Sequence, residues 1–216
     1  MEKISVIELQ GLIAQCKVLE ADLYGPKVLL SADGQTIHKL FRRKRWFSSA
    51  LIKPYALRFV DNADRLRTLG FNTLEAGGIS WCRGLGYHLV SYPLLVGSSL
   101  REHLQRDERD EVFTQLGEIV AQLHQNGVYF RSLHLGNLLR LESNELALID
   151  VADMRFYRGP LSKSRRLRNF RPLLNRPEDR ELIKAQDWRL MGEVYEHHSG
   201  CSRGLTAAIE SLYRHQ

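Results

Sequence analysis

The sequence predicts an α+β fold with two parts, a small sheet that carries one helix and then a mainly helical region. Up to about residue 92, runs of strand-forming residues alternate with turn signals. From Ser99 onward, apolar residues recur at the spacing of amphipathic helices. The length of 216 residues suits one compact domain, or two small lobes around a shared cleft, rather than several domains.

The first part, residues 1–92, is predicted to contain a five-stranded sheet. Apolar residues at helical spacing from Leu9 to Cys16 predict a short packing helix before it. A tight turn is expected at Asp33-Gly34, because both residues tolerate positive φ. After the third strand, a helix is predicted to follow Pro54 and to end at Gly70. The predicted strands cover residues 18–24, 26–31, 36–41, 79–83 and 87–92.

A hinge is predicted at residues 93–97, and a helical lobe is predicted over residues 98–216. Ser99 and Glu102 have the spacing of a capping box, in which each side chain accepts a hydrogen bond from the backbone of the other. Apolar residues then line one face of a long helix that ends at Gly127.

One predicted hairpin interrupts the helical part. Strand-forming stretches at 138–141 and 145–149 flank a turn, and Asp150 lies at the far end of the second strand. The segment Tyr157–Pro177 is rich in arginine and contains three prolines. We expect this segment to be irregular and exposed.

Neither a membrane span nor a disulfide framework is predicted. No apolar run approaches the roughly 18 residues that cross a bilayer, and Glu2 and Glu8 lie where a signal peptide would be basic. Cys16, Cys82 and Cys201 are far apart and form no CxxC pair. We therefore expect a cytoplasmic protein with core or surface thiols and no zinc site.

The net charge of +6 is concentrated in two basic stretches, residues 39–45 and 155–180. The second stretch contains nine Lys or Arg residues, and three interpretations of it are open. It is a solvated surface, a docking site for phosphorylated sugars or anionic lipid headgroups, or a nucleic-acid patch. Aromatic residues are sparse there, which weakens the nucleic-acid interpretation. The candidate anion-binding residues are Arg155, Arg158, Arg165, Arg166, Arg168 and Arg171.

The most specific signal is a polar loop followed by an acid. Residues 130–137 read FRSLHLGN, and Asp150 follows thirteen residues after Asn137 inside the sequence LIDV. Taken singly, Asn137 could brace a turn and Asp150 could end a hairpin.

This arrangement resembles the protein kinases, in which an HRD-L-x-x-x-N catalytic loop is followed across a hairpin by a metal-binding Asp. The order of strands, helix, hinge and helices is similar over most of the chain. The LHxGN form at residues 133–137, the small size and the Leu69–Phe71 helix end are most similar to the bacterial lipopolysaccharide core kinases, which phosphorylate heptose or Kdo sugars.

The resemblance implies a two-lobed protein-kinase-like fold that uses ATP and Mg²⁺. By the same resemblance, Asn137 and Asp150 are the candidate metal ligands, because phosphoryl transfer needs an amide oxygen and a carboxylate that converge on Mg²⁺. Lys39, on the third predicted strand, matches the lysine that binds the nucleotide phosphates. The implied acceptor is a sugar hydroxyl. A phosphorylated glycolipid, or an anionic surface at the inner face of the membrane, is then the implied partner of the arginine-rich stretch.

Several residues depart from the kinase pattern. Ser132 stands where kinases have the Asp that accepts the proton of the substrate hydroxyl, and a serine hydroxyl is a poor base near neutral pH. His134 and Asp153 are therefore further candidates for this acid–base role. The helix after Pro54 offers no clear counterpart of the glutamate that pairs with the kinase lysine. Gly25 is a single glycine where kinases have a glycine-rich loop that cradles phosphates.

Three functions are consistent with these observations. The first is an ATP-dependent phosphotransferase that acts on a lipopolysaccharide-core sugar or a similar hydroxyl. The second is a pseudokinase that regulates or scaffolds cell-envelope assembly. The third is a basic module that binds nucleic acid or a membrane surface, in which Lys39 is an ordinary strand lysine facing solvent.

Overall fold

The computed structural model describes residues 1–42, 54–200 and 204–214. The chain divides into two compact units, Met1–Val96 and Gly97–Gln216. This division falls inside the 93–97 segment of the sequence, whose role as a hinge stays a prediction. Arg43, Lys44 and Arg45 of the first basic stretch, and Cys201, lie outside the described residues.

The first unit is built on a sheet with one helix packed on each face. Its helices are α1 (Val6–Gln15) and α2 (Tyr55–Thr68), and its strands are β1 (Glu2–Lys3), β2 (Lys17–Asp22), β3 (Gly25–Leu30), β4 (Thr36–Arg42), β5 (Asn72–Thr73), β6 (Gly78–Cys82) and β7 (Tyr87–Pro93). Six strands form the sheet in the order β1-β6-β7-β4-β3-β2. The pairs are antiparallel except for β1 and β6.

The two faces of this sheet follow from strand alternation along β4. Leu40 lies on the face that packs against Leu9 of α1. Phe41 points the other way, and its ring centroid lies 5.2 Å from that of Phe59 on α2. The predicted strands and helices are present, and β1 adds a sixth strand. β1 was missed because it contains only two residues, both charged.

The second unit is mainly helical. Its strands are β8 (Gly97–Ser99), β9 (Val128–Phe130), β10 (Leu138–Leu141), β11 (Leu146–Leu148) and β12 (Met154–Phe156), and its helices are α3 (Leu100–Gln105), α4 (Arg109–Gln125), α5 (Lys163–Asn175), α6 (Pro177–Arg180), α7 (Ala185–Ser199) and α8 (Leu205–Arg214). The strands form three short antiparallel ladders, in which β10 pairs with β8 and β11, and β12 pairs with β9. Short 3₁₀ turns lie at Leu135–Asn137 and Val151–Asp153.

The predicted long helix is two helices. The capping box forms as predicted, with Glu102 N–H donating to Ser99 Oγ at 3.3 Å and Ser99 N–H donating to a Glu102 carboxylate oxygen at 2.7 Å. α3 then ends at Gln105, and α4 begins at Arg109. Asp107 lies between them at φ 67°, a left-handed conformation that interrupts a right-handed helix.

The prediction of an irregular, exposed segment at Tyr157–Pro177 was wrong, because α5 occupies most of it. The prolines suggested a loop, yet Pro172 lies within the helix. The helix is stabilised by a buried stripe at helical spacing, and tertiary burial of such a stripe outweighs local propensity. Its buried residues are Arg166, Asn169, Phe170, Leu173 and Leu174.

The described part of the chain contains no helix with the length and apolarity that a bilayer span requires. Both described cysteines are free thiols, with Cys82 buried and Cys16 half-buried. Neither observation contradicts the expectations drawn from the sequence.

Two glycines provide a matched test of packing between α4 and α7. A Cβ at Gly117 would lie 2.8 Å from the Met191 carbonyl oxygen, whereas a Cβ at Gly11 on α1 would meet nothing within 4 Å. We expect Gly117→Ala to lower the free energy of unfolding by about 1–2 kcal/mol, because overpacking outweighs the gain in helix propensity. Gly11→Ala should raise it by up to about 1 kcal/mol. Urea denaturation measures both, and equal stability of the two variants would contradict the tight packing.

Candidate functional site

Two ladders of the second unit bring the loop and the acidic segment together. In one ladder Leu138 lies opposite Leu148, and the ladder closes with Ile149 N–H donating to the Asn137 carbonyl at 3.0 Å. In the other, Phe130 lies opposite Met154. The segments 131–136 and 150–153 therefore lie between the same two ladders. Ser132 and Asn137, from the loop motif, and Asp150, from the end of the hairpin, therefore lie in the same region of the second unit.

Asn137 lies at the end of the hairpin ladder away from the turn, with its side-chain oxygen available. Its Nδ2 donates to the Ser132 carbonyl at 2.9 Å, which fixes the orientation of the amide. Within residues 1–42, 54–200 and 204–214, no donor is hydrogen-bonded to Asn137 Oδ1. Asp150 follows Ile149 in a left-handed conformation, at φ 55° and ψ 47°. Only a small fraction of non-glycine residues adopt this conformation, and Asp is among those that tolerate it.

The donor atoms of Asn137 and Asp150 are of the types that bind a small, hard divalent cation. An amide oxygen and a carboxylate are the ligand types that Mg²⁺ binds, and Mg²⁺ usually completes its shell with water and substrate phosphates. Within the described residues, no group of three or more His, Cys, Asp or Glu side chains is arranged to hold a metal by itself.

The start of the loop is held by a buried chain of hydrogen bonds. Asn169 Nδ2 donates to the Phe130 carbonyl at 2.5 Å, and Asn169 Oδ1 accepts from Phe130 N–H at 2.9 Å. His124 Nε2 lies 3.1 Å from the same Oδ1, so this nitrogen carries the proton. His124 Nδ1 then accepts from the Tyr195 hydroxyl at 2.8 Å. The Tyr195 oxygen in turn accepts from Arg166 Nη1 at 3.0 Å.

The middle of the loop is held by Asp179, which is fully buried. Its Oδ2 accepts from Leu135 N–H at 2.9 Å, and its Oδ1 accepts from Arg101 Nε at 2.7 Å. A Cβ at Gly136 would lie 3.2 Å from the Arg101 guanidinium, so this arginine lies directly against the loop backbone. Together, Asn169 and Asp179 fix the loop at two points.

His134 is buried within the same loop, with 9 % of its surface exposed. Its Nδ1 is buried and has no hydrogen-bond partner among the described residues. Burial, and after it the charge of Arg176, lower the pKa of His134 to about 4. A neutral imidazole with so low a pKa is a weak proton acceptor at neutral pH. The environment thus favours a packing role for His134 over the catalytic role suggested from sequence.

Lys39 lies on β4 in the first unit, between Val28 of β3 and Val90 of β7. Its ammonium group lies 5.1 Å from the centroid of the Phe59 ring and 5.8 Å from that of Phe41. The side chain is half-buried on the face of the sheet that α2 covers. It is therefore not a strand lysine facing solvent, and its role at the nucleotide phosphates stays a prediction.

The other kinase-like features of the first unit are reduced. The buried residues of α2 include no carboxylate, and Asn62, one turn beyond Phe59, is the polar residue among them. β2 and β3 are joined by the two-residue turn Leu23-Tyr24, since Asp22 pairs with Gly25. So short a turn provides few backbone N–H groups to surround a phosphate.

The arginine-rich surface differs from its prediction at one position. Arg166 is 3 % exposed, and its Nε donates to the Leu161 carbonyl at 2.7 Å. It was predicted to bind anions at the surface, but it is a structural residue of the buried chain. Arg165 is exposed, and its guanidinium lies 4.3 Å from the centroid of the Tyr157 ring. The other predicted members are exposed, namely Arg155, Arg158, Arg168 and Arg171.

Three residues that shape the loop were missed from the sequence, namely Arg101, Asn169 and Asp179. Asn169 and Phe130 are 39 positions apart, and Asp179 and Leu135 are 44 positions apart. No local spacing connects such residues. The one available signal was an Asn among the apolar positions of a helical stripe, and the prolines around α5 concealed that stripe.

Acid should destabilise the protein through His124. Burial lowers its pKa from 6.5 to about 3, so between these values the unfolded chain binds more protons than the folded chain. The stability contributed by the neutral imidazole is complete above pH 6.5 and is lost as pH falls toward 3. We expect this group alone to remove about 2 kcal/mol between pH 6.5 and 5.

Urea denaturation at several pH values measures this loss. His124→Gln keeps a neutral side chain that forms hydrogen bonds, and it should show a shallower decline below pH 6.5 than the parent protein. Equal slopes for the two proteins would contradict the assignment of His124 as the buried neutral partner of Asn169.

No protein-family model matches the sequence, and no curated protein matches it. Among solved structures, the chain is similar to the crystal structure of an aminoglycoside-3′-phosphotransferase of type VIII. The TM-score is 0.67 at 13 % sequence identity, and the match covers 94 % of this chain and 96 % of that one. At this identity, the likeness shows the fold alone. The chain therefore has the predicted α+β, protein-kinase-like fold, with a sheet in its N-terminal region and a mainly helical C-terminal region.

Proposed function

We propose that this chain is an ATP- and Mg²⁺-dependent phosphotransferase. The observation that carries the proposal is that Asn137 and Asp150 lie at the same end of one hairpin ladder. The amide oxygen of Asn137 is available, and the Asp150 carboxylate follows Ile149, whose N–H is bonded to Asn137. The protein-kinase-like fold supports the same conclusion.

Each residue has a chemical task in this proposal. Asn137 Oδ1 and the Asp150 carboxylate hold Mg²⁺, and the bound ion neutralises charge on the phosphates. Lys39 supplies a further positive charge for the phosphates. Asn169 and Asp179 keep the loop rigid, so that the acceptor and the γ-phosphate are positioned without reordering the backbone.

The proposed acceptor is a sugar hydroxyl on an anionic glycolipid, as in the lipopolysaccharide core. The exposed arginines between Arg155 and Arg171 support an anionic acceptor. The structural neighbour is named for an aminoglycoside, and aminoglycosides are polycations that such a surface would repel. An anionic glycolipid also implies activity at the inner face of the membrane.

A pseudokinase is the second candidate, because Ser132 lacks a carboxylate and the β2–β3 turn is short. In that case the protein binds nucleotide without transferring phosphate, and regulates or scaffolds envelope assembly. Turnover separates the two candidates, whereas nucleotide binding is common to both.

The metal site is tested by Asp150→Ala, with Glu142→Gln in the exposed hairpin turn as a control that also removes one negative charge. A ligand at 100 times its Kd stabilises the folded state by about 2.7 kcal/mol. We expect ATP with Mg²⁺ to raise the Tm of the parent protein and of Glu142→Gln. We expect Asp150→Ala to lose most of this rise. An unchanged shift in Asp150→Ala, or no shift in the parent protein, would contradict the proposed site.

The basic surface is tested by the double variant Arg165→Glu, Arg168→Glu, with Arg83→Glu, Arg106→Glu as a control of equal charge change. Each basic side chain near an anionic surface contributes about 1 kcal/mol. We therefore expect the first variant to bind vesicles containing phosphatidylglycerol at least tenfold more weakly than the control does. Equal binding by the two variants would contradict a role for this surface. Stronger binding of the parent protein to single-stranded RNA than to vesicles would favour the nucleic-acid alternative.

A further inference from the structure

Asp153 is a carboxylate close in the fold to Ser132, the loop residue that stands in place of an aspartate. Phe130 is the last residue of β9, and its partner Met154 is the first residue of β12. Asp153 directly precedes Met154, and Ser132 lies two residues after Phe130. The chain turns at Ser132, because Leu133 N–H donates to the Phe130 carbonyl at 3.2 Å. Asp153 and Ser132 thus flank the same end of one ladder.

The metal candidates flank the other ladder. Asn137 and Asp150 lie beside the β10–β11 ladder, whereas Ser132 and Asp153 lie beside the β9–β12 ladder. The Ser132 carbonyl also accepts from Asn137 Nδ2 at 2.9 Å, which folds the loop back toward the metal candidates. Asp153 therefore lies at the same ladder end as Ser132, three residues after Asp150 along the chain.

Three other candidate bases near the loop already have other roles. Asp150 is assigned to the metal, and both oxygens of Asp179 accept hydrogen bonds in a fully buried position. His134 is buried, and its pKa is lowered to about 4. Asp153 differs from these groups because it is half-exposed, and within the described residues its carboxylate forms no hydrogen bond or ion pair.

We infer that Asp153 is the general base that Ser132 is unable to be. This inference rests on the proposed phosphotransferase function. An acceptor hydroxyl gives its proton to a carboxylate oxygen of Asp153, and the acceptor oxygen forms a bond to the γ-phosphorus of ATP. The bond between that phosphorus and the β–γ bridging oxygen breaks, and its electron pair leaves with ADP. Ser132 leaves room for the acceptor where an aspartate side chain would otherwise lie.

The test uses the full chain and ATP with Mg²⁺, with water as the acceptor, in four forms. These are the parent protein, Asp153→Asn, Ser132→Asp and the double variant. General base catalysis typically contributes about 10²–10⁴-fold in rate. We expect Asp153→Asn to lower turnover at least 100-fold. Isothermal titration should show that its affinity for ATP with Mg²⁺ stays within threefold of the parent value. The double variant should turn over at least tenfold faster than Asp153→Asn alone.

Four other outcomes would each contradict the base assignment, the proposed function, or both. Parental turnover in Asp153→Asn overturns the inference and leaves the phosphotransferase proposal standing. Turnover that appears only after Ser132→Asp overturns both the base assignment and native catalysis, and favours the pseudokinase. Loss of nucleotide affinity in Asp153→Asn also overturns the inference, because the residue then acts in binding. Absence of nucleotide binding by the parent protein defeats the proposed function itself.

Discussion

The candidate site depends on one buried amide. Asn169 satisfies both backbone groups of Phe130, the last residue before the loop, so the loop begins from a fixed point. Its oxygen also accepts a hydrogen bond from His124 Nε2, which sets the tautomer of that histidine. His124 Nδ1 is then left to accept from Tyr195, whose oxygen accepts from Arg166. Asn169, His124, Tyr195 and Arg166 are thus joined by consecutive buried hydrogen bonds. Fully satisfied networks make a protein interior rigid, whereas a single missing member leaves a costly unpaired group.

Asp179 fixes the same loop from another helix. Its carboxylate is enclosed and is compensated by Arg101 and by a backbone N–H of the loop. The removal of one partner from a buried ion pair costs more than the pair contributes. The loop is therefore held by groups that are difficult to replace singly. Its geometry is set partly by α5 and α6, in addition to the hydrogen bonds within the loop itself.

Most of the fold and part of the site could be predicted from local patterns. The hairpin that carries Asp150, the capping box at Ser99 and the helix after Pro54 each have their signal within a few residues. Contacts between distant residues have no such signal, which explains why Asn169 and Asp179 were missed. Arg166 was misassigned for the same reason, since charge usually indicates exposure, and its burial depends on partners at Leu161 and Tyr195.

The backbone at Asp150 has a consequence for how this sequence would respond to selection. A left-handed conformation costs an ordinary side chain roughly 1–2 kcal/mol, and glycine avoids that cost. Directed evolution for heat tolerance alone would therefore be drawn to glycine at this codon. The gain in robustness would remove the carboxylate on which the proposed chemistry depends. Aspartate at this position is a local compromise between folding and reactivity.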